Sequence, residues 1–261
     1  MRNYIPILVL AALCLIEAAY IPDMYESVKR LKDCGFHPEA VLDVGANIGE
    51  WAQDVQSLFP NTSIFMIEGN EKHREVLKSR NMDFEIALVG ENERNITYYV
   101  SKVDARGTGN SVFRENTAHF PDKNTELVSA RIQRIDDILE NRGINKKFQF
   151  LKYDIQGSEY NALLGSIKTM KDAEVIHTEV AIMNYNQGAS SFMSLHSLME
   201  LSGFAIYDTF GLARGGNGYV AIGYDLVWVK KTSPLWRRKC TGFPIPSHFK
   251  IHGGRDEMNY N

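Results

Sequence analysis

The chain has 261 residues, a formal net charge of −3 at pH 7 and 44% hydrophobic residues. This length suits one large α/β domain with additions, and the slightly acidic balance excludes the strongly basic surface typical of proteins that bind nucleic acid. The cysteines, Cys14, Cys34 and Cys240, lack the spacing of a metal site. A Cys34–Cys240 disulfide in an oxidising compartment and two separate thiols both remain open.

Residues 1–22 form an apolar N-terminal segment. It begins with Met-Arg-Asn-Tyr, continues without charge from Ile5 to Ile16, and small residues follow. This order is typical of a secretory signal, so we expect a signal peptide or membrane anchor, entry into the secretory pathway and an association with membranes. The uncharged stretch is shorter than the about 20 residues of a spanning helix, and an anchor that reached Ile21 would have to carry Glu17. The alternative is a buried helix on a cytoplasmic domain.

From residue 23 onward, the pattern alternates between helix and strand. Apolar residues at helical spacing predict a helix over 23–36. The segments that follow predict a strand at 40–45, a helix at 51–58, a strand at 63–67, a helix at 71–79 and a strand at 84–89. Such alternation indicates a parallel, doubly wound sheet.

The segment 95–134 departs from this alternation. Strand patterns at 95–100 and 127–132 flank a loop rich in Gly, Asn and Asp, followed by a polar stretch. Long loops in compact domains are usually functional or disordered, so we expect an insertion or a lid beside the cofactor pocket.

The alternating pattern returns after this insertion. It predicts a helix at 135–141, a strand at 148–153, a helix at 157–166, a strand at 174–180, a helix at 192–201 and closing strands at 204–209 and 219–230. We therefore expect one domain over 23–231, with the insertion inside it, and a loosely held tail over 232–261.

The first chemical motif is Asp43-x-Gly45-x-Asn47-x-Gly49, which joins a strand to a helix. Glycine has no Cβ, so the backbone of such a turn can approach a ligand closely, and the amides at the helix start face that ligand. A hydride-transferring enzyme would usually show Gly-x-Gly-x-x-Gly here. The pattern is closer to that of proteins that bind S-adenosylmethionine (SAM), and an NAD-dependent oxidoreductase is the alternative.

Two further acidic elements follow predicted strands. Glu68 ends the second strand, where a carboxylate can accept hydrogen bonds from ribose hydroxyls. Asp154 follows the strand at 148–153, and Glu159 falls in the first turn of the next helix. Ligands of open α/β sheets bind at such carboxyl ends. Glu159 is a candidate substrate residue, or alternatively a charge that is favourable at a helix N-terminus.

The ordered set of these motifs resembles the FkbM family of SAM-dependent methyltransferases. The residues that carry the resemblance are Asp43-Val-Gly-Ala-Asn-Ile-Gly-Glu50, Glu68, Lys152-Tyr-Asp-Ile-Gln-Gly-Ser-Glu159 and Ile176-His-Thr-Glu-Val180. The resemblance covers about residues 40–229, and its match to the loop 107–111 is only rough.

This resemblance implies a class I methyltransferase fold, which is Rossmann-like. It consists of a mostly parallel seven-stranded sheet with helices on both faces and a closing antiparallel strand. The implied reaction moves a methyl group from SAM to a hydroxyl of a carbohydrate or small natural product. The implied cofactor residues are those of the glycine turn, an acid for the ribose and a small residue near adenine: Asp43, Gly45, Ala46, Asn47, Gly49, Glu68 and Ala87.

The acceptor hydroxyl must lose a proton, and three side chains are candidates for that role. They are Asp154, His177 and Glu179, of which residues 177 and 179 point to the same side of one strand. A divalent metal held by Asp154 and Glu179 is a variant that would lower the pKa of the acceptor. His177 could equally be an ordinary core histidine.

The insertion and two aromatic side chains supply candidates for acceptor binding. Arg106, Asn110 and Ser111 could hydrogen-bond a sugar-like acceptor, and Tyr185 and Phe210 could form its wall. The alternatives are a polar loop and core aromatics. A binding protein that holds SAM without catalysis is a further alternative to an enzyme.

Overall fold

The computed structural model describes residues 23–117, 120–183, 185–215, 218 and 220–236. Within these ranges, no helix is long and apolar enough to cross a bilayer. The expected signal or anchor at 1–22, most of the tail at 232–261, and Cys240 lie outside the described residues. The expectations for these parts of the chain, including the Cys34–Cys240 disulfide, therefore stay predictions.

A seven-stranded sheet forms the centre of the domain. Its strands are β1 (Ala40–Val44), β2 (Ser63–Glu68), β3 (Asp83–Ile86), β8 (Phe150–Tyr153), β9 (Val175–Ala181), β11 (Phe204–Gly215) and β12 (Val220–Lys230). They lie in the order β3-β2-β1-β8-β9-β12-β11. The pairs from β3 to β9 are parallel, whereas β12 runs antiparallel to both of its neighbours. The mostly parallel sheet with a closing antiparallel strand is therefore confirmed.

Helices cover both faces of this sheet, as expected for a doubly wound fold. They are α1 (Met24–Asp33), α2 (Glu50–Leu58), α3 (Arg74–Lys78), α4 (Ile135–Asn141), α5 (Glu159–Leu164), α6 (Ile167–Met170) and α7 (Phe192–Leu201). Alternate strand residues point to opposite faces, so the sheet separates two hydrophobic cores. In β1, Leu42 and Val44 belong to the core that includes α4, α5 and α7, while Val41 belongs to the core that includes α1 and α2.

The predicted strand at 84–89 divides between two sheets at Ala87. The amide of Ala87 makes the last bond to the second strand by donating to the Glu68 carbonyl at 2.8 Å. Residues Leu88–Val89 then form β4, which pairs with β7 (Thr125–Gln133) outside the main sheet. The prediction of one strand was wrong because both halves are apolar, and hydrophobic periodicity does not register a change of sheet.

The two strands of the insertion join β4, which precedes them, in a second, three-stranded sheet in the order β4-β7-β5, where β5 is Arg94–Ser101. The strands β5 and β7 pair antiparallel along their whole length. Short strands β6 (Arg114–Glu115) and β10 (Asn186–Gln187) pair with each other beside it. The two predicted strands of the insertion are confirmed, whereas its role as a lid stays a prediction.

The helix predicted at 157–166 is shorter in the structure and begins two residues later. Gln156 and Gly157 have φ angles of 55° and 97°, which lie in the left-handed region, so no helix can include them. These two residues instead turn the chain sharply after β8.

Candidate active site

A tight turn of left-handed residues follows β1. Gly45, Asn47 and Gly49 have φ angles of 82°, 52° and 78°. The amides of Gly45 and Ala46 both donate to the Ile67 carbonyl, at 2.8 and 3.1 Å. A Cβ on Gly45 would lie 1.8 Å from the backbone oxygen of Asp154, so only glycine fits there. The turn thus brings β1 and the end of β8 into direct contact.

Glu68 at the end of β2 holds this turn in place. Its Oε2 accepts a hydrogen bond from the Asn47 amide and its Oε1 accepts one from the Asn70 amide, both at 2.7 Å. The residue is 7% exposed. A carboxylate has about four lone-pair sites, so both oxygens can still accept hydrogen bonds from a ligand.

A cavity of about 470 Å³ lies above the carboxyl ends of the parallel strands. Its lining includes many residues of the predicted cofactor and acceptor sites, namely Gly45, Ala46, Asn47, Glu68, Ala87, Arg106, Asn110, Ser111, Asp154 and Glu179. The remaining predicted residues Asp43, Gly49, Glu159 and His177 lie near this lining but do not form part of it among the described residues. The glycine turn and the Glu68 carboxylate on one wall fit a bound nucleoside.

A buried lysine neutralises the acids beneath the cavity. Lys152 Nζ lies 3.2 Å from Asp43 Oδ1, 3.2 Å from the Gly45 carbonyl and 3.4 Å from Asp154 Oδ2. Burial raises the pKa of the Asp43 carboxyl, and Lys152 opposes that rise. For Asp154, the attraction of Lys152 overcomes the effect of burial and holds its pKa below the usual range. Asp154 is therefore a carboxylate at neutral pH.

Opposite the glycine turn, Gln156 links two carboxylates. Its Nε2 donates to Glu179 Oε2 at 2.8 Å and lies 3.4 Å from Asp154 Oδ1. Burial, together with the charges of Asp154, Glu159 and Asp225, raises the pKa of Glu179 well above its ordinary value. The wall thus combines an ionised carboxylate with a second carboxyl group that holds its proton more tightly.

Asp225 on β12 belongs to the same wall, although sequence reasoning did not identify it. It is the register partner of Glu179, and its Oδ1 lies 3.0 Å from His177 Nε2. His177 is 1% exposed and packs on Phe210 at a centroid distance of 4.7 Å. His177 therefore acts here as a buried partner of Asp225, and Phe210 as a core residue. An acid within the apolar strand at 219–230 was the signal that could have revealed Asp225.

The loop between β5 and β6 closes one side of the cavity. Asn47 Nδ2 donates to the Arg106 carbonyl at 2.8 Å, and the Arg106 guanidinium pairs with Glu50. At the other end of this loop, Ser111 Oγ donates to the Gln156 carbonyl at 2.8 Å. The residues expected to bind the acceptor thus lie against the glycine turn as well as the acidic wall.

Glu159 is bound to backbone amides, and the two acids expected as metal ligands, Asp154 and Glu179, face a hydrogen-bond donor. Glu159 is 6% exposed, and its Oε1 accepts hydrogen bonds from the amides of Ile155 and Gly157. Among the described residues, no group of three or more His, Cys, Asp and Glu side chains could hold a metal ion. Asp154 and Glu179 share the Gln156 amide, a hydrogen-bond donor, rather than a third ligand.

The comparisons with known proteins identify the family. A family model for the methyltransferase FkbM domain matches residues 43–206, which is more than half of the chain. The chain belongs to the FkbM family. It is therefore a SAM-dependent methyltransferase, and the matched range includes the glycine turn, Glu68, Lys152, Asp154 and Glu179. Membership of the FkbM family decides against the NAD-dependent alternative. No curated protein shows a significant match to the chain.

Solved structures with a similar fold include several methyltransferases. An O-methyltransferase from Bacillus cereus in complex with SAH is 14% identical, with a TM-score of 0.44, and the match covers 86% of this chain and 89% of that one. Magnesium protoporphyrin IX methyltransferase from Synechocystis PCC 6803 with bound SAM is 13% identical, with a TM-score of 0.43 and coverage of 79% and 77%. Precorrin-6y C5,15-methyltransferase from Geobacter metallireducens GS-15 is 11% identical, with a TM-score of 0.43 and coverage of 82% and 92%.

Proposed function

We propose that this FkbM protein transfers the methyl group of SAM to a hydroxyl group of a carbohydrate or small natural product. The observation that supports this proposal most strongly is one cavity with a nucleoside-type wall on one side and carboxyl groups on the other. When bound, SAM would supply an electrophilic methyl group on a sulfonium that leaves readily. The protein has to align the acceptor and take its proton.

The cofactor would lie against the glycine turn. Gly45, Ala46 and Asn47 line the cavity where backbone amides and the absence of a Cβ permit close approach to the methionine part. Glu68 retains acceptor capacity for the ribose hydroxyls, and Ala87, at the switch between the two sheets, leaves room for adenine. The acids of the opposite wall would favour the positive sulfonium over its neutral product.

Glu179 is the best candidate for the general base. Its raised pKa brings the carboxyl group closer to the pKa at which a base works efficiently near neutral pH. Gln156 donates to Glu179 Oε2, which orients the group, and the ionised Asp154 lies on the other side of the same amide. In this role Glu179 would take the proton that the acceptor hydroxyl loses when the methyl group passes from the sulfonium sulfur to the hydroxyl oxygen, while Asp154 remains charged.

A transfer assay with isotopically labelled SAM tests this function. The full chain is incubated with neutral sugars, glycosides and small hydroxylated metabolites, and Glu179→Gln is compared with wild type. We expect transfer to a hydroxyl acceptor and a drop of about 100-fold or more in kcat for Glu179→Gln, because general base catalysis contributes that much. Glu126→Gln, an exposed change on β7, is the matched control. Transfer at the wild-type rate by Glu179→Gln would remove Glu179 from the mechanism.

The transfer assay, combined with calorimetry, separates the enzyme from a protein that binds SAM without catalysis. Calorimetric binding of SAM together with no labelled product from any hydroxyl acceptor would favour the non-catalytic alternative. The partly buried carboxyl groups of Asp154 and Glu179 in the cavity favour the enzyme, because a pure binding site has no use for a proton acceptor there.

We infer from residues 1–22 that the chain enters the secretory pathway, with a cytoplasmic location as the alternative. Two glycosylation sequons, at Asn61 and Asn95, lie on exposed residues, so both are accessible to glycan transfer. Expression in a eukaryotic cell followed by glycosidase treatment tests this location. A mass shift is expected, and an unglycosylated chain of full sequence mass would support the cytoplasmic alternative.

A further inference from the structure

Two polar side chains of the insertion face the cavity without a role in the chemistry above. Tyr98 lies on β5 and Asn110 lies in the loop that follows this strand. Both line the cavity, and they are only 7% and 8% exposed. Buried polar groups normally have hydrogen-bond partners, so their position against the cavity calls for a physical explanation.

The amide of Asn110 presents an unused donor. Its Oδ1 accepts a hydrogen bond from the Ser101 amide at 2.8 Å, which fixes the orientation of the group, because an NH₂ there would face another donor. Its Nδ2 is buried and makes no hydrogen bond of good geometry among the described residues, although the adjacent Tyr98 hydroxyl is close enough for Asn110 to lower the pKa of that hydroxyl. An NH₂ group has two donors, so one remains for a ligand even when the other points to Tyr98. A ligand in the cavity can supply the missing acceptor.

The neighbours of this pair lie at the end of β2. A Cβ built on Gly69 would come within 3.5 Å of the Tyr98 hydroxyl. A Cβ built on Gly107 would lie 2.4 Å from Asn110 Nδ2 and 3.1 Å from Asn70 Nδ2. The pair therefore lies next to the segment 68–70, whose first residue is the acid expected to bind the ribose.

Chemistry distinguishes the pair from Glu68. A carboxylate only accepts hydrogen bonds and suits ribose hydroxyls, whereas Asn110 Nδ2 only donates and suits a ribose oxygen or a ring nitrogen of adenine. The Tyr98 hydroxyl stays protonated, since burial and the charge of Glu68 raise its pKa. It can therefore donate to the same ligand.

We propose that Asn110 and Tyr98 bind the nucleoside part of SAM, with Asn110 Nδ2 as the donor to that nucleoside. This assignment rests on the proposed function and differs from the sequence-based expectation that Asn110 binds a sugar-like acceptor. It makes the insertion part of the cofactor site.

Calorimetric titration of three ligands tests this assignment. SAM, SAH and 5′-methylthioadenosine share the nucleoside, but methylthioadenosine lacks the amino-acid part. The full chain is compared with Asn110→Ala, Asn110→Asp and Tyr98→Phe. Asn110→Asp keeps an oxygen for the Ser101 amide while removing the donor, so it separates binding from loop structure. Asn92→Ala, an exposed loop change, and Tyr99→Phe, on the opposite face of β5, are the matched controls.

The assignment predicts that both Asn110 variants lose about 10-fold in affinity for all three ligands, with a smaller loss for Tyr98→Phe. Wild-type affinity of Asn110→Asp for methylthioadenosine, with a reduced melting temperature for Asn110→Ala alone, would overturn the assignment and make Asn110 purely structural. A loss for SAM and SAH but not for methylthioadenosine would also overturn it, because the contact would then lie at the amino-acid part. If wild type bound none of the three ligands, the proposed function itself would fail.

Discussion

Replacement of Lys152 by methionine is the change that we expect to destabilise this protein most through charge alone. Lys152 is 2% exposed and Asp43 is fully buried, and their charged atoms lie 3.2 Å apart. At this distance and an effective dielectric constant of about 20, the attraction is about 5 kcal/mol. Methionine retains most of the side-chain volume, so the main effect is an unpaired Asp43 carboxylate in the core.

The expected loss in the free energy of unfolding for Lys152→Met is about 3–5 kcal/mol, the range for one partner removed from a buried ion pair. Urea denaturation followed by circular dichroism measures this loss. The control is Lys29→Met, because Lys29 forms an exposed pair with Asp33 on α1, where solvent screens the charges, and its removal should cost far less stability. The double variant Lys152→Met with Asp43→Asn should recover part of the loss, because it removes the unpaired charge as well.

A loss for Lys152→Met no larger than that for Lys29→Met would refute this reasoning. It would mean that Asp43 takes up a proton at little cost when its partner is removed. The recovery in the double variant distinguishes the loss of charge pairing from simple damage to packing, which the second substitution cannot repair.

Three further predictions concern the cofactor wall and its surroundings. Glu68→Ala should weaken SAM binding about 100-fold or more in calorimetry, because two charge-assisted hydrogen bonds to the ribose disappear. Glu75→Ala is an exposed control. Equal affinities of Glu68→Ala and wild type for SAM would place the ribose elsewhere. Gly45→Ala should destabilise the fold by well over the about 2 kcal/mol that a left-handed backbone costs, because its Cβ would meet the Asp154 carbonyl. Gly35→Ala, with φ of 91° and open space around it, should cost only the backbone contribution. Similar losses for the two variants in urea denaturation would contradict the close approach at Gly45. Burial raises the pKa of Glu159 from 4.5 to about 7. The stability that this shift contributes is complete below pH 4.5 and is lost as the pH rises through 7. Glu159→Gln should flatten the pH dependence of the free energy of unfolding over this range, and an unchanged pH dependence in denaturation curves would contradict the shift.

The sequence predicted the parts of this site that depend on local pattern. Gly45 follows β1 directly, Asn47 lies two residues further along the turn, and Glu68 is the last residue of β2, so each lies at the strand end where the spacing placed it. Asp154 and Glu179 could be expected to converge because parallel neighbouring strands end at one edge.

Other features could not be predicted because they depend on contacts between distant segments. The bond from Asn47 to the Arg106 carbonyl spans 59 residues, and that from Ser111 to Gln156 spans 45 residues, so no short-range pattern encodes them. Lys152 was visible as a lysine within an apolar strand, yet its partner Asp43 lies on another strand, and only the pairing register brings the two together. The switch of sheet at Ala87 leaves the hydrophobic pattern unchanged.

The central claim is that SAM binds over the carboxyl ends of β1 and β2, with its ribose at Glu68. A structure determined from crystals of the full chain soaked with SAH shows directly where the nucleoside binds. We predict density for SAH within the cavity, its ribose hydroxyls within hydrogen-bond distance of the Glu68 carboxylate and its amino-acid part against Gly45. SAH bound at another surface, or a cavity that stays free of SAH at saturating concentration, would contradict the claim.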